Sequence, residues 1–179
     1  MSRSDSVIAS ISRSLCIDEL GYVVMPDAAA ELLFQVIAGR TEQAAVADAA
    51  LEVVLATSND PTGQWVLDPH IEGESEVPWT GLLGGEIRNV QADRVFLGGN
   101  EQLEQGDSVW WIVDYKTAQP PAGDLDTALA ASRTVHAPQL ETYAKVLRQL
   151  RGIDIPIRAG LYYPTWARFD FWELPSFLS

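Results

Sequence analysis

From about residue 64 onward, apolar residues fall into short runs that build strands, separated by turn-forming residues. Gly85 to Leu97 carries β-branched and apolar positions and ends at Gly98-Gly99-Asn100, a turn signal. Val109-Trp110-Trp111-Ile112-Val113 is a continuous apolar run, the mark of a strand buried on both faces. The insert between them, Gly98 to Ser108, is polar and acidic, so the two runs pair most simply as an antiparallel hairpin. A second hairpin is expected from Ile157–Tyr163 and Arg168–Trp172 around Pro164-Thr165. After Pro138, which suits a helix start, Leu140, Tyr143, Ala144, Leu147 and Leu150 recur at helical spacing until Gly152 and Pro156 end the pattern. Thr117 to about Asp126, with Pro120, Pro121 and Gly123, reads as a loop.

The N-terminal third is patterned differently. Residues before about Gly21 are Ser-rich and weakly periodic, and from Pro26 one or two helices rich in Ala, Leu and Val run to a break at Asn59-Asp60-Pro61-Thr62-Gly63. Strands are expected to follow that break. The whole pattern predicts an α/β chain: residues 1–63 as an N-terminal helical segment, and residues 64–179 as a mixed sheet flanked by helices.

Within the strands, two carboxylates and an amine carry the chemistry. Side chains alternate faces along a strand, so Asp114 and Lys116 project to one side while Val113 and Tyr115 face the other. Asp93 lies on the preceding strand, where hairpin pairing sets it beside Asp114. Two close carboxylates repel unless a cation neutralises them, which favours a hard divalent ion bound through oxygen, Mg²⁺ in the first place. The plainer alternative is an exposed Asp–Lys ion pair of little consequence. Against it, Asp114 follows directly on a buried-strand signature, and a charge there needs a partner.

The run Ile87-Arg88-Asn89-Val90-Gln91-Ala92-Asp93-Arg94-Val95-Phe96, then Trp111-Ile112-Val113-Asp114-Tyr115-Lys116-Thr117, then Pro138-Gln139-Leu140-Glu141-Thr142-Tyr143-Ala144, resembles the PD-(D/E)XK nuclease domain of RecB/AddA type found at the C-terminus of UvrD-family helicases. Trp65–His70, Ser75–Trp79 and Ile157–Pro164 extend the likeness, so that it covers roughly Trp65 to Glu173. The resemblance implies a restriction-endonuclease-like fold. It implies metal binding at Asp93 and Asp114, with Tyr115 counted among the metal-binding positions, and a catalytic Lys116 that orients or activates the water. Gln139 and Tyr143 would support the site, and Glu76 is a further supporting candidate. The activity so implied is that of a Mg²⁺-dependent deoxyribonuclease, with Mn²⁺ as the alternative ion, of exonuclease type and leaving a 5′ phosphate. Its partners would be DNA and a UvrD-type helicase motor, in cis or in trans, in DNA repair and recombination.

The residues agree with part of this on their own. Gln139 and Tyr143 are four apart and share a helix face. Glu76 opens an extended segment that Pro78 restricts to a strand end or a sheet edge. Glu86 follows Gly84-Gly85 and is expected in solvent, as is His70 in its Asp68-Pro69-His70 turn. One departure stands out: the family carries a further metal ligand, commonly His, on a helix upstream of the first strand. This chain has only two histidines, His70 and His136, and neither lies there. Glu31, Glu42, Asp48 and Glu52 are the upstream acids, and loss of the ligand-bearing helix is the preferred explanation. The start of the chain resembles the middle of the family domain, so the expectation is a fragment of a longer protein. A catalytically weakened nuclease fold that scaffolds a helicase or repair partner is the competing reading.

Composition narrows these readings further. At 179 residues the chain is too short for a helicase motor, and it has no Gly-x-x-x-x-Gly-Lys-Ser/Thr loop for ATP. The lone Cys16 excludes an internal disulfide and the four-cysteine iron–sulfur cluster of some relatives, and suits a reducing cytoplasm. No targeting or membrane segment is evident. The net charge of -13 opposes free-standing nucleic-acid binding. Either Arg88, Arg94, Lys116, Arg133, Lys145 and Arg148 gather at the site, or a motor delivers the strand, which is the more physical of the two. The six tryptophans are candidate base-stacking platforms, but most stand beside strand cores, where burial is the expected use.

Overall fold

The computed structural model describes residues 53–118, 122–152 and 155–175. The upstream acids Glu31, Glu42, Asp48 and Glu52, and most of the expected N-terminal helical segment, lie outside the described residues. A helical stretch at 53–59 leads into α1 (Pro61–Leu67). Five strands follow, β1 (Ile71–Leu83), β2 (Glu86–Gly98), β3 (Val109–Tyr115), β4 (Ile157–Tyr163) and β5 (Arg168–Leu174), with α2 (Leu125–Arg151) between β3 and β4. The fold is α/β: one mixed five-stranded sheet in the order β1-β2-β3-β4-β5, with flanking helices, an arrangement consistent with the restriction-endonuclease-like class. Every neighbouring pair is antiparallel except β3 and β4, which run parallel because α2 carries the chain back between them.

The sheet's two faces bury separate cores. Trp110 and Ile112 of β3 pack with Leu140, Ala144 and Leu147 of α2 on one side. Trp111, Val113 and Tyr115 pack with Trp65, Val66 and Leu67 of α1 on the other. Both faces of β3 are covered, so all seven of its residues are buried, as its unbroken apolar run requires. The β1–β2 hairpin closes on Gly84 and Gly85, both at positive φ (60° and 84°), a two-residue turn that glycine adopts without steric cost.

Three local expectations change. The Asn59–Gly63 break is not followed at once by strands: Asp60 caps α1 by accepting from the Thr62 and Gly63 N–H groups, and Pro61 occupies its first turn. Pro138 does not start a helix. α2 begins thirteen residues earlier, where Asp124 accepts from Thr127 N at 2.8 Å, and Pro138 sits inside it at an exposed position. His70 is not a solvent residue: it stacks on Phe96 with centroids 4.0 Å apart, its Nε2 lies 2.5 Å from the Trp65 carbonyl, and burial holds its pKa below the usual value.

Candidate active site

The site forms where three neighbouring strands align their acids. Ser75 opposite Arg94 and Val77 opposite Ala92 bracket Glu76 and Asp93 on β1 and β2. On the other side of β2 the last paired residues are Arg94 and Val113, and one step further brings Asp93 opposite Asp114. The hairpin bends at this row. Ser75 Oγ meets Arg94 on the α1 side, whereas Val77, only two residues on, packs on the α2 side, because Glu76 between them takes φ 52°. Pro78 stands in β1, an edge strand, where its missing N–H costs no ladder bond.

Asp114 shares the α2 side of β3 with Trp110 and Ile112 and is only 5% exposed. Its Oδ2 contacts the Lys116 ammonium as an ion pair, without the alignment of a hydrogen bond. Asp93 is half-buried, and its Oδ2 accepts from the Tyr115 backbone N–H at 2.8 Å. Burial, then the Asp114 carboxylate beside it, pushes the Asp93 carboxyl up to about 7; Glu76 adds to the rise, while the Tyr115 N–H and Lys116 oppose it. Glu76 is tied to the same hairpin through Gln91 Nε2, which donates to its Oε2 at 2.5 Å.

α2 closes the site from above the sheet. Gln139 Nε2 donates to Tyr143 Oη at 2.6 Å, as their four-residue spacing allows. Burial raises the Tyr143 pKa, and the Asp114, Asp93 and Glu76 carboxylates raise it further against the Gln139 hydrogen bond, which places the phenol within the field of all three acids. The expected residues Asp93, Asp114, Lys116, Gln139 and Tyr143 thus gather around one row, and Glu76 stands near enough to raise the pKa of both Asp93 and Tyr143.

Tyr115 differs from expectation in its side chain. Its ring packs in the α1-side core, where burial raises the phenol's pKa, and its Oη has no hydrogen-bond partner. Strand alternation dictates this, so any metal role of Tyr115 falls to its backbone. Sequence spacing also missed His136. Because α2 runs through Pro138, His136 shares the helix face of Gln139 and Tyr143, three and seven residues on. It is half-buried; burial and the Lys116 ammonium lower its pKa, and Asp114 opposes them. The available signal was Leu125 to Val135, an Ala-rich stretch compatible with helix on both sides of the proline.

The expected basic mouth is only partly there. Arg94 points to the α1 side, where it donates to the Val66 and Asp68 carbonyls. Arg133 is bound to Asp170, and Arg88 pairs with Glu86 at 2.5 Å.

No protein family model matches this sequence, and no curated protein does. Among solved structures the fold is similar to one named "Putative exonuclease" from Eubacterium rectale, at TM-score 0.44 and 14% identity over 79% of this chain and 50% of that one. A second, named SSO0001, is similar at TM-score 0.34 and 14% identity, over 84% of this chain and 68% of that one. The chain therefore spans half the length of the first of these structures.

The donor set suits a hard divalent cation. Mg²⁺ is commonly held by one or two carboxylates, with waters and substrate phosphate completing its shell, and Asp93 and Asp114 supply two. Among the described residues no group of three or more His, Cys, Asp or Glu side chains is arranged to hold a metal ion. Burial first and the Asp114 carboxylate second disfavour the Asp93 anion, and a cation joining the adjacent pair would stabilise it. Among the described residues no helix is long and apolar enough to cross a membrane.

Proposed function

We propose that the chain is a metal-dependent DNA nuclease domain that hydrolyses phosphodiester bonds. It would be of exonuclease type and serve a helicase–nuclease system of DNA repair and recombination, with a UvrD-type motor in cis or in trans. The observation that carries this reading is the row of Asp93 and Asp114 on adjacent strands with Lys116 ion-paired to Asp114 on the same face. Asp93 and Asp114 would hold Mg²⁺ or Mn²⁺, which supplies Lewis acidity toward the phosphate and the attacking water.

The chain's own groups account for the rest. The Lys116 ammonium, 18% exposed, offsets the charge that builds on the phosphate oxygens in the transition state. The Tyr115 N–H fixes one oxygen of Asp93 and leaves the other available. Gln139 occupies Tyr143 Oη as donor, so the phenol hydrogen is free to donate toward the anionic site. His136, as a neutral imidazole, can add a further hydrogen bond at the same mouth.

The test is DNA cleavage by the purified chain. With Mg²⁺ we expect degradation that Lys116→Ala abolishes while the circular dichroism spectrum stays native; activity surviving that substitution rejects the assignment. The scaffold reading retains one favouring observation, the direct Lys116–Asp114 pair, which neutralises the site without a metal. A nuclease should gain thermal stability with Mg²⁺ or Mn²⁺, whereas a scaffold gains none.

A further inference from the structure

Trp166 is an aromatic side chain that this reading of the site leaves unused. Of the six tryptophans, Trp65, Trp79, Trp110 and Trp111 are buried in the two cores, and Trp172 is half-buried with the Arg133 guanidinium 4.8 Å from its ring centroid. Trp166 is half-buried in the single turn of 3₁₀ helix, Pro164–Trp166, that joins β4 to β5.

Its position follows from the parallel pairing of β3 and β4. Tyr115 pairs with Tyr162, and Lys116 N donates to the Tyr162 carbonyl at 2.8 Å, so one step further sets Tyr163 beside Lys116. Both project to the α2 side: Tyr163 packs in that core and donates through Oη to Ser132 of α2 at 2.6 Å. The Trp166 ring stacks on Tyr163, centroids 4.5 Å apart and planes 20° from parallel. Trp166 Nε1 donates to the Ala118 carbonyl at 2.8 Å, and Thr165 Oγ1 donates to the same oxygen at 3.0 Å. The indole is therefore held one ring away from the catalytic lysine, at the carboxyl ends of two parallel strands, where open α/β sheets collect ligands.

With its N–H already satisfied, the indole has only a flat apolar surface left to offer. A nucleobase is the part of a nucleic-acid strand that such a surface fits, whatever its sequence, because every base has a π-face. We propose that Trp166, backed by Tyr163, is a stacking subsite for one base of the strand whose phosphate is held at Lys116. This rests on the nuclease reading and adds a base-binding position to it.

The experiment measures binding of a short fluorescein-labelled single-stranded DNA to the full chain in EDTA, which prevents cleavage. Trp166→Leu should weaken binding about tenfold, and Trp166→Phe should retain most of the affinity. Scanning one abasic site along the oligonucleotide should reveal a single position where loss of the base costs the wild-type chain the same factor, and that position should disappear in Trp166→Leu. If the wild-type chain binds and cleaves DNA but shows no base-dependent position, or Trp166→Leu binds as tightly as wild type, the stacking subsite is overturned and the nuclease reading stands. If the wild-type chain neither binds nor cleaves, both fall. The abasic scan needs no variant, so a Trp166→Leu chain that fails to fold does not shield the proposal.

Discussion

Asp93, among the described residues, ties the stability of the fold to pH. Its carboxyl is raised from the ordinary 3.8 to about 7, first by burial and second by Asp114. A carboxyl that binds its proton more tightly folded than unfolded contributes stability that is full below about pH 4 and lost as pH climbs to about 7. Asp93 should therefore make the metal-free chain less stable at pH 8 than at pH 5, against His70 and His136, whose lowered pKa values act in the opposite sense, and Asp93→Asn should remove that contribution and gain about 1–2 kcal/mol at pH 8. Melting curves in EDTA across this range check it; an unchanged slope in the Asn variant would place the dependence elsewhere. The grouping of Asp93, Asp114, Lys116, Gln139 and Tyr143 as a site came from the family resemblance and the expected hairpin, whereas the faces of Asp114, Lys116, Gln139 and Tyr143 were legible in the sequence from period-two and period-four spacing. The imidazole of His136 was not. Pro138 reads as a helix start, which leaves His136 in a loop, whereas in the fold the half of the helix before the proline is held by Leu129 against the core and by Ser132 and Arg133, which bond Tyr163 and Asp170.

At the level of elements, the β1–β2 hairpin and the parallel β3–β4 pair across α2 went unread, whereas β2 to β5 were readable because their runs are bounded by turn residues, with the β2–β3 and β4–β5 pairings following from short connections. α1 was not, for a physical reason: seven residues are too few to display a helical period, and Trp65-Val66-Leu67 looks the same in a buried strand. The deciding signal is Asp60-Pro61, an N-cap followed by the residue best suited to the first helical position. Asp60 does more than cap. Its Oδ2 accepts from Gly63 N at 3.1 Å and from Tyr162 Oη at 3.0 Å, which joins α1 to β4. Asp60→Ala removes the cap and strips a buried phenol of its acceptor, so it should cost about 2–3 kcal/mol, and Asp60→Asn less than half of that. Urea midpoints for the two variants decide between them: equal losses would mean that the charge, and not the acceptor geometry, holds the junction. In α2 the corresponding change is Pro138→Ala, which restores an N–H donor inside the helix and should raise the urea midpoint by the equivalent of about 1–2 kcal/mol.

The whole molecule carries a net charge of -13, and its described cations are largely spoken for. Lys116 pairs with Asp114, Arg133 with Asp170, Arg151 with Glu72 and Glu74, Arg158 with Glu101 at 3.7 Å, and Arg94 is buried. A phosphate backbone approaching this surface has to compete with those acids, which removes the usual source of nonspecific affinity. Affinity for DNA should then come from the few groups at the mouth of the site, and it should depend weakly on salt. With about two phosphates neutralised, the slope of log affinity against log salt for a single strand is roughly -1.4. Raising NaCl from 50 to 200 mM should weaken binding by less than about tenfold, where a basic binding face would lose a hundredfold or more. Titration of a labelled single-stranded oligonucleotide at both concentrations measures this directly. A steep slope would mean that more phosphates are neutralised than the mouth of the site accounts for, and the chain could then capture DNA unaided. A shallow slope with weak binding is what a domain fed by a motor requires: high local concentration of the strand, supplied by the partner, replaces the affinity that an acidic surface gives up.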